Sequence, residues 1–189
     1  MKQATTNQVE WASSSALGLF AFGLTTILLQ FHNLGLIEAT LPVVFGFFWG
    51  GAAQVIAGVI AGKRGDLFHL TAFTSYGVFW IGLAFSFLLS WQKLATGDLA
   101  GYGWTMVCWG IFTLGMTIAT FKADFVSLFV FVTLTILFLL LAFVFFGHLS
   151  AKVAGVEGLF CGAAATYGGA AIVINDKFGR VVLPLGKFK

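Results

Sequence analysis

The chain has 189 residues, of which 59% are apolar and 9% are charged, and its net charge at pH 7 is +3. Soluble domains carry about 25% charged residues, so this composition excludes an ordinary water-soluble globular protein. Lipid is the solvent that tolerates so apolar a surface. The sequence has no run of Lys and Arg, so no nucleic-acid binding is expected.

Six apolar segments follow one another along the chain, each roughly 20 residues long, the length that a membrane-spanning helix needs. They comprise residues 14–30, 41–62, 68–91, 102–121, 125–147 and 153–175. Backbone groups in lipid must pair within their own segment, and these segments do not alternate in the way that barrel strands do. We therefore predict an all-α integral membrane protein in which residues 1–189 form a single six-helix domain.

The distribution of Lys and Arg predicts the orientation, because loops rich in these residues stay in the cytoplasm. Of the ten Lys and Arg residues, only Lys93 and Lys152 lie on the side of the membrane away from the termini. The side that holds both termini carries Lys2, Lys63, Arg64, Lys122, Lys177, Arg180, Lys187 and Lys189. We therefore expect a multi-pass plasma-membrane protein with cytoplasmic tails at residues 1–13 and 176–189.

Glycines four residues apart recur in the second and sixth segments. The pairs are Gly46 and Gly50, Gly58 and Gly62, and Gly158 and Gly162. Small residues at this spacing let helix backbones approach closely. We therefore expect the second and sixth helices to pack the bundle.

Charged residues are absent from the central portions of all six segments. Asp124 and Glu157 lie near segment ends, where an interfacial position is the simpler interpretation. Neither Cys108 nor Cys161 is surrounded by metal ligands, and no Ser or Cys nucleophile is paired with a histidine. We therefore expect no metal, no cofactor and no enzymatic activity.

The polar residues inside the segments are neutral, and two features exceed what helix packing needs. Residues 71–76 (TAFTSY) place four hydroxyl groups within six positions, and Gln54 carries a primary amide in the middle of a segment. A neutral, hydroxyl-lined interior is typical of a path for a small polar solute. Selectivity in such paths depends on diameter, hydrogen-bonding groups and apolar constrictions.

Four stretches of the chain resemble the acetate uptake transporter family, which includes the bacterial succinate–acetate permeases. They are residues 17–33 (LGLFAFGLTTILLQFHN), 50–58 (GGAAQVIAG), 70–77 (LTAFTSYG) and 178–186 (FGRVVLPLG). The resemblance covers nearly the whole chain. It departs at residues 13–16, where Ser-Ser-Ser-Ala replaces the family's Asn-Pro-Ala-Pro, and at Glu157, a position that is often apolar in bacterial members.

The resemblance implies a homohexamer with one path through each six-helix protomer. It also implies an apolar constriction formed by Phe22, Tyr76 and Leu134. In the predicted topology these residues lie about eight to ten positions into the first, third and fifth helices, which begin on the same side. At about 1.5 Å per residue, all three reach a similar depth of roughly 12–15 Å.

The implied function is a channel or transporter for acetate and similar small monocarboxylates, with succinate as a further candidate. Polar groups along the path would offset the cost of removing water from a carboxylate. The residues expected to do so are Thr25, Asn33, Gln54, Thr71, Thr74, Ser75 and Thr135. A passive channel and proton symport both remain open. So do a urea or short-amide channel of similar six-helix hexameric architecture, and a membrane scaffold or sensor that transports nothing.

Overall fold

The computed structural model describes residues 11–95 and 98–188, which contain six long helices. They are α1 (Ser15–Asn33), α2 (Thr40–Lys63), α3 (Leu67–Trp91), α4 (Leu99–Thr120), α5 (Phe125–Phe145) and α6 (Ala151–Phe178). Each is long and apolar enough to cross a membrane, and each end lies within three residues of the predicted segment. The prediction of a six-helix, multi-pass membrane protein is therefore confirmed.

Side-chain caps fix where four of the helices begin. Asp66, Asp98 and Asp124 each accept a hydrogen bond from the backbone amide three residues later. Ser150 accepts one from the amide of Lys152. Each bond satisfies an amide of the first turn that has no partner within the helix. The polar breaks between apolar segments thus contain the residues that start α3, α4, α5 and α6.

Helix α2 contains a wider π-helical stretch at Phe48–Ala53, which the sequence pattern did not predict. Glycine permits this geometry, because a Cβ atom at Gly51 would lie 2.5 Å from the carbonyl oxygen of Gly46. Single π turns within α-helices are frequent at functional sites. Here the π stretch ends immediately before Gln54, whose side chain is buried between helices.

Glycines bring α1 into close contact with α6 and α2. A Cβ atom at Gly23 of α1 would lie 2.7 Å from the carbonyl oxygen of Gly162 in α6. A Cβ atom at Gly50 of α2 would lie 2.8 Å from the side chain of Thr25 in α1. The predicted packing role of glycines in the second and sixth helices is therefore confirmed, and α1 contributes a glycine of its own.

The start of α1 is attached to α2 by Ser14. Its buried hydroxyl donates a hydrogen bond to the carbonyl oxygen of Ala57 at 2.7 Å. Ser14 occupies one of the two positions where the resembling family has proline, whose ring offers no hydroxyl donor. The departure at residues 13–16 therefore creates an interhelical bond. Residues 1–10 of the predicted N-terminal tail, with Lys2, lie outside the described residues.

The chain beyond α6, which lies in the predicted C-terminal tail of residues 176–189, folds back onto the bundle. Gly179, with a φ of 62°, ends the helix at Phe178. The Asn175 side chain accepts hydrogen bonds from the amides of Val182 and Leu183 at 2.7 and 2.9 Å. It also donates one to the Leu183 carbonyl oxygen at 2.8 Å. Lys189 lies outside the described residues.

This returning segment reaches the start of α5. The amide of Phe125 donates to the carbonyl oxygen of Gly186 at 2.9 Å, and the amide of Val126 donates to that of Leu185 at 3.1 Å. Both amides belong to the first turn of α5, where no intrahelical acceptor exists. The C-terminal segment therefore completes the hydrogen bonding of α5.

Candidate functional site

The side chains of Phe22, Tyr76 and Leu134 meet inside the bundle, one from each of α1, α3 and α5. Their exposed fractions are 6%, 3% and 3%. The ring centroids of Phe22 and Tyr76 are 6.0 Å apart. Residues that are far apart in the sequence thus lie at one level of the fold.

Two small cavities lie on opposite sides of these three residues. The proximal cavity, nearer the start of α1, has a volume of about 20 Å³ and the distal cavity one of about 30 Å³. Other residues of the proximal cavity are Leu19, Gln54, Ala72, Phe73, Val130 and Phe131. Those of the distal cavity include Thr26, Gln30, Phe79, Trp80, Leu137 and Phe138. Among the described residues, only Phe22, Tyr76 and Leu134 line both cavities, so they narrow the space between them.

A wider vestibule adjoins the proximal cavity. Its volume is about 160 Å³, and it shares five lining residues with that cavity: Leu19, Ala72, Phe73, Val130 and Phe131. Its polar lining includes His69, Asp124 and Ser127. The vestibule, the proximal cavity and the distal cavity therefore lie in a row along the bundle. The row starts at the partly polar vestibule, and the apolar constriction lies between the two cavities.

A hydrogen bond made by its hydroxyl group fixes the position of the Tyr76 ring. Thr113 of α4 donates its own proton to the carbonyl oxygen of Trp109 at 2.7 Å. The Tyr76 hydroxyl therefore donates to Thr113 Oγ1, at 2.9 Å. Because the hydroxyl is directed at α4, the aromatic ring is the part of Tyr76 available to the cavities. The ring also stacks on Phe138 with an interplanar angle of 16°.

Of the seven polar residues predicted for the path, Gln54 lines the proximal cavity, and the other six line neither cavity. Thr25 faces Gly50, and Thr74 lies against Gly58 of α2, because the missing Cβ atoms leave room for these threonines. The rotation of α1 and α3 about their axes thus turns both hydroxyls toward α2.

The remaining four hold other positions. Thr135 donates to the carbonyl oxygen of Phe131 at 2.8 Å and lies at the contact with α4. The Asn33 amide donates to Gln30 Oε1 at 2.8 Å, so it supports a residue of the distal cavity. Thr71 and Ser75 are half-buried outside both cavities.

Three polar residues of the distal cavity, and Thr113, were missed as site residues by the sequence interpretation. Thr26 and Gln30 follow Phe22 by four and eight positions, and Trp80 follows Tyr76 by four. Residues four apart share one face of a helix. Their spacing from Phe22 and Tyr76 could therefore have identified Thr26, Gln30 and Trp80 from the sequence.

Near the vestibule, the Asp66 carboxylate accepts a hydrogen bond from the His69 ring, with an Nδ1–Oδ2 distance of 2.6 Å. Partial burial favours the neutral form of Asp66. The hydrogen bonds from the backbone amide and ring of His69, and the charges of His69 and Arg64, outweigh burial, and the pKa of Asp66 lies below its ordinary value. The carboxylate at the start of α3 is therefore ionised near neutral pH.

Glu157 lies in the second turn of α6, and both carboxyl oxygens are buried with no hydrogen-bond partner among the described residues. At about 1.5 Å per residue, the six positions from the start of the helix place it roughly 9 Å along the axis. Glu157 is not among the residues that line either cavity.

Comparison with known proteins extends over nearly the whole chain. Residues 2–188 match the GPR1/FUN34/yaaH family. The chain is 43% identical over 183 residues to the succinate-acetate/proton symporter SatP of Escherichia coli K12, covering 93% of this chain and 96% of that protein. It is 30% identical over 200 residues to acetate permease A of Emericella nidulans, covering 95% and 67%.

The fold is also similar to a solved structure. The structure of the bacterial acetate channel SatP superposes with a TM-score of 0.90 at 42% identity, covering 94% of this chain and 100% of that one. All three similar proteins carry names of transporters or channels. The chain therefore belongs to the GPR1/FUN34/yaaH family.

Proposed function

We propose that this protein forms a transmembrane path for acetate and similar small monocarboxylates. The observation that carries the proposal is that Phe22, Tyr76 and Leu134 line both cavities and narrow the passage between them. The nature of the solute is supported by the family, because the 43% identical relative is named a succinate-acetate/proton symporter.

In this proposal the constriction selects solutes by diameter and removes their water. Stripping a carboxylate without compensation is costly, so the protonated, neutral acid passes the apolar constriction more readily than the anion. Within the described chain, neither cavity is lined by an acidic, basic or histidine side chain. A proton that crosses with the solute therefore travels on the solute's own carboxyl group.

We also propose a homohexamer in the plasma membrane, with residues 1–189 forming one domain per protomer and both termini cytoplasmic. Eight of the ten Lys and Arg residues support this orientation, in which the vestibule opens to the cytoplasm. Accessibility of tags at both termini tests the orientation, and termini on opposite faces would refute it. Native mass spectrometry of the detergent-extracted protein tests the hexamer.

Uptake of radiolabelled acetate into proteoliposomes, with and without a pH gradient, tests the function. We expect uptake above that of protein-free vesicles, and stimulation by an acidic exterior if the protonated acid crosses. Competition by unlabelled acetate but not by urea separates this function from a urea channel. Absence of flux for both solutes would favour a scaffold or sensor.

A further inference from the structure

The vestibule is the part of the path in which acidic and histidine side chains occur. Among the described residues, neither cavity is lined by an acidic, basic or histidine side chain, whereas His69 and Asp124 line the vestibule. A solute that passes the constriction as a neutral acid ionises once it reaches neutral water, because carboxylic acids titrate at about pH 4. The vestibule is therefore where the proton of the solute can pass to the protein.

Asp124 is engaged in capping α5. Its Oδ1 accepts a hydrogen bond from the backbone amide of Ser127 at 2.8 Å, and its Oδ2 accepts one from the Ser127 hydroxyl at 3.0 Å. A proton on this carboxylate would weaken the bonds that satisfy the first turn of the helix. His69 is therefore the group that can accept a proton without loss of a cap.

Asp66 fixes the tautomer and the orientation of the His69 ring. Nδ1 lies 2.6 Å from Oδ2 of Asp66. Because an ionised carboxylate only accepts hydrogen bonds, Nδ1 carries a proton. The neutral ring then has its lone pair on Nε2, an atom that takes part in no hydrogen bond among the described residues. Nε2 is therefore the ring nitrogen that can receive a proton.

Aromatic contacts place the ring where the vestibule meets the proximal cavity. The centroid of the His69 ring lies 5.1 Å from that of Phe73 and 5.3 Å from that of Phe68. Phe73 lines both the vestibule and the proximal cavity. The side chain of His69 is 30% exposed, so a solute in the vestibule can reach it. An acid that leaves the proximal cavity therefore enters the vestibule beside His69.

We propose that Asp66 and His69 form the proton-exchange site of the path, in which Nε2 of His69 accepts the proton of the arriving acid. The O–H bond of the carboxyl group breaks and its electron pair stays on the oxygen, while the Nε2 lone pair forms the new N–H bond. The products are a carboxylate anion and an imidazolium, whose charge Asp66 balances. The imidazolium then returns its proton to water, and the reverse sequence protonates an anion that enters from the vestibule. This inference rests on the function proposed above.

Other charged groups lie near this pair. Arg64 is close enough to Asp66 for its charge to act on that carboxylate. Asp124 lines the vestibule, and its backbone pairs with that of Lys187 in the C-terminal segment. The described residues by which α1 and α6 line the vestibule carry no titratable side chain. Of these charges, that of Asp66 acts on the ring directly, through the hydrogen bond.

The pH profile of acetate exchange tests the site. Proteoliposomes containing the full chain are held at equal acetate concentration and equal pH on both sides, so that the orientation of the protein does not matter. The flux through protein-free vesicles is subtracted. We expect the wild-type rate to rise as the pH falls from 8 and to level off below about pH 6, where histidines are mostly protonated.

His69→Gln removes the acceptor. We expect exchange at pH 7 to be about tenfold slower, because proton transfer by a positioned side chain is lost. The rate should then keep rising down to about pH 4, where the carboxylic acid itself becomes protonated in water. A histidine with a purely structural role would change the rate without changing the shape of the profile.

His148→Gln is the matched control. It removes a histidine that is exposed at the opposite end of the bundle and lines neither the vestibule nor the two cavities, so the profile is expected to match wild type. Asp66→Asn keeps a cap for α3 and an acceptor for the ring but removes the charge that balances the imidazolium. We expect it to slow exchange at pH 7 about tenfold.

The outcomes separate the two proposals. Wild-type protein whose acetate exchange does not exceed that of protein-free vesicles would refute the proposed function. Wild-type exchange with a pH profile of the same shape in His69→Gln would refute the proton-exchange site alone, as would an equal change of the profile in His148→Gln.

A second measurement uses the wild-type protein and does not depend on the folding of the His69 variant. The chain has three histidines, so the ¹⁵N ring signals of His69 are those that persist in both His32→Gln and His148→Gln. We expect the neutral ring to carry its proton on Nδ1 and to gain a second proton on Nε2 as the pH falls. A neutral ring with its proton on Nε2 would overturn the assignment, because Nε2 would then have no lone pair to accept the proton of the solute.

Discussion

The hydroxyl oxygen of Tyr76 lies 2.9 Å from that of Thr113, so the constriction is tied to α4, a helix that contributes no side chain to the narrowing itself. Thr113→Val would leave the buried Tyr76 hydroxyl without an acceptor. We expect it to lower the free energy of unfolding by about 1–3 kcal/mol. Tyr76→Phe removes the donor as well and is expected to cost less. Thermal unfolding in detergent measures both, and a larger loss for Tyr76→Phe would contradict this account.

Leu134 sets the width of the constriction in the proposed function. Leu134→Ala removes three carbon atoms at a position that is 3% exposed and borders both cavities. We expect lactate uptake to rise relative to acetate uptake in proteoliposomes. The matched control is Leu139→Ala in the same helix, at a position that is 45% exposed, where the ratio is expected to stay constant. An unchanged ratio in Leu134→Ala would exclude Leu134 as a determinant of size.

The sequence predicted the helices well because length and composition determine membrane spans, and because polar caps such as Asp66 and Asp124 mark where helices start. It did not predict which faces of the helices meet. In a soluble protein the polar face of a helix reveals its orientation, but here the lipid-facing and buried faces are both apolar. Thr25 and Thr26 are adjacent, yet only Thr26 lines the distal cavity, because Gly50 receives Thr25.

The sequence also did not predict the π-helical stretch of α2, because one set of glycines is compatible with more than one structure. Gly46 and Gly50 indicated close helix packing, which the structure has, but the adjacent Gly51 also permits the wider turn. Phe22, Tyr76 and Leu134 were proposed from a resemblance together with their depth in parallel helices. Their shared position between two cavities required coordinates.

Gly23 allows a close approach of α1 to α6. A Cβ atom there would lie 2.7 Å from a backbone carbonyl oxygen, which cannot move aside as a flexible side chain does. We expect Gly23→Ala to lower stability by about 1–3 kcal/mol, the usual cost of overpacking. Gly115→Ala in α4 meets no atom within 4 Å and is expected to be neutral or slightly stabilising, because Ala favours the helix. Equal stabilities in a thermal-shift assay would refute the contact.

Asn175 anchors the C-terminal segment through three hydrogen bonds to Val182 and Leu183. Asn175→Ala is expected to release this segment from the start of α5. Hydrogen exchange at the amides of Phe125 and Val126 should then accelerate, because both donate to the segment's carbonyl oxygens. Amides in the middle of α5 serve as the internal control. Unchanged exchange at Phe125 would show that the segment is held without Asn175.

The Asp66 carboxylate caps α3 and pairs with His69, and its pKa in the folded protein lies below the ordinary value. A lowered pKa means that the ionised group stabilises the fold above the pKa of the unfolded chain. That contribution is lost as the pH falls through the folded pKa. We therefore expect Asp66→Ala to cost about 1 kcal/mol at pH 7, the usual value of a lost cap.

The pH dependence of Asp66→Asn isolates the charge, because Asn also caps helices but cannot ionise. The stability difference between wild type and Asp66→Asn should shrink as the pH falls below about 4, because the carboxylate then takes up a proton. Thermal unfolding as a function of pH measures it. A difference that grows as the pH falls below about 4 would mean that the protonated form of Asp66 is the one favoured by the fold, which is incompatible with a carboxylate accepting hydrogen bonds from both the amide and the ring of His69.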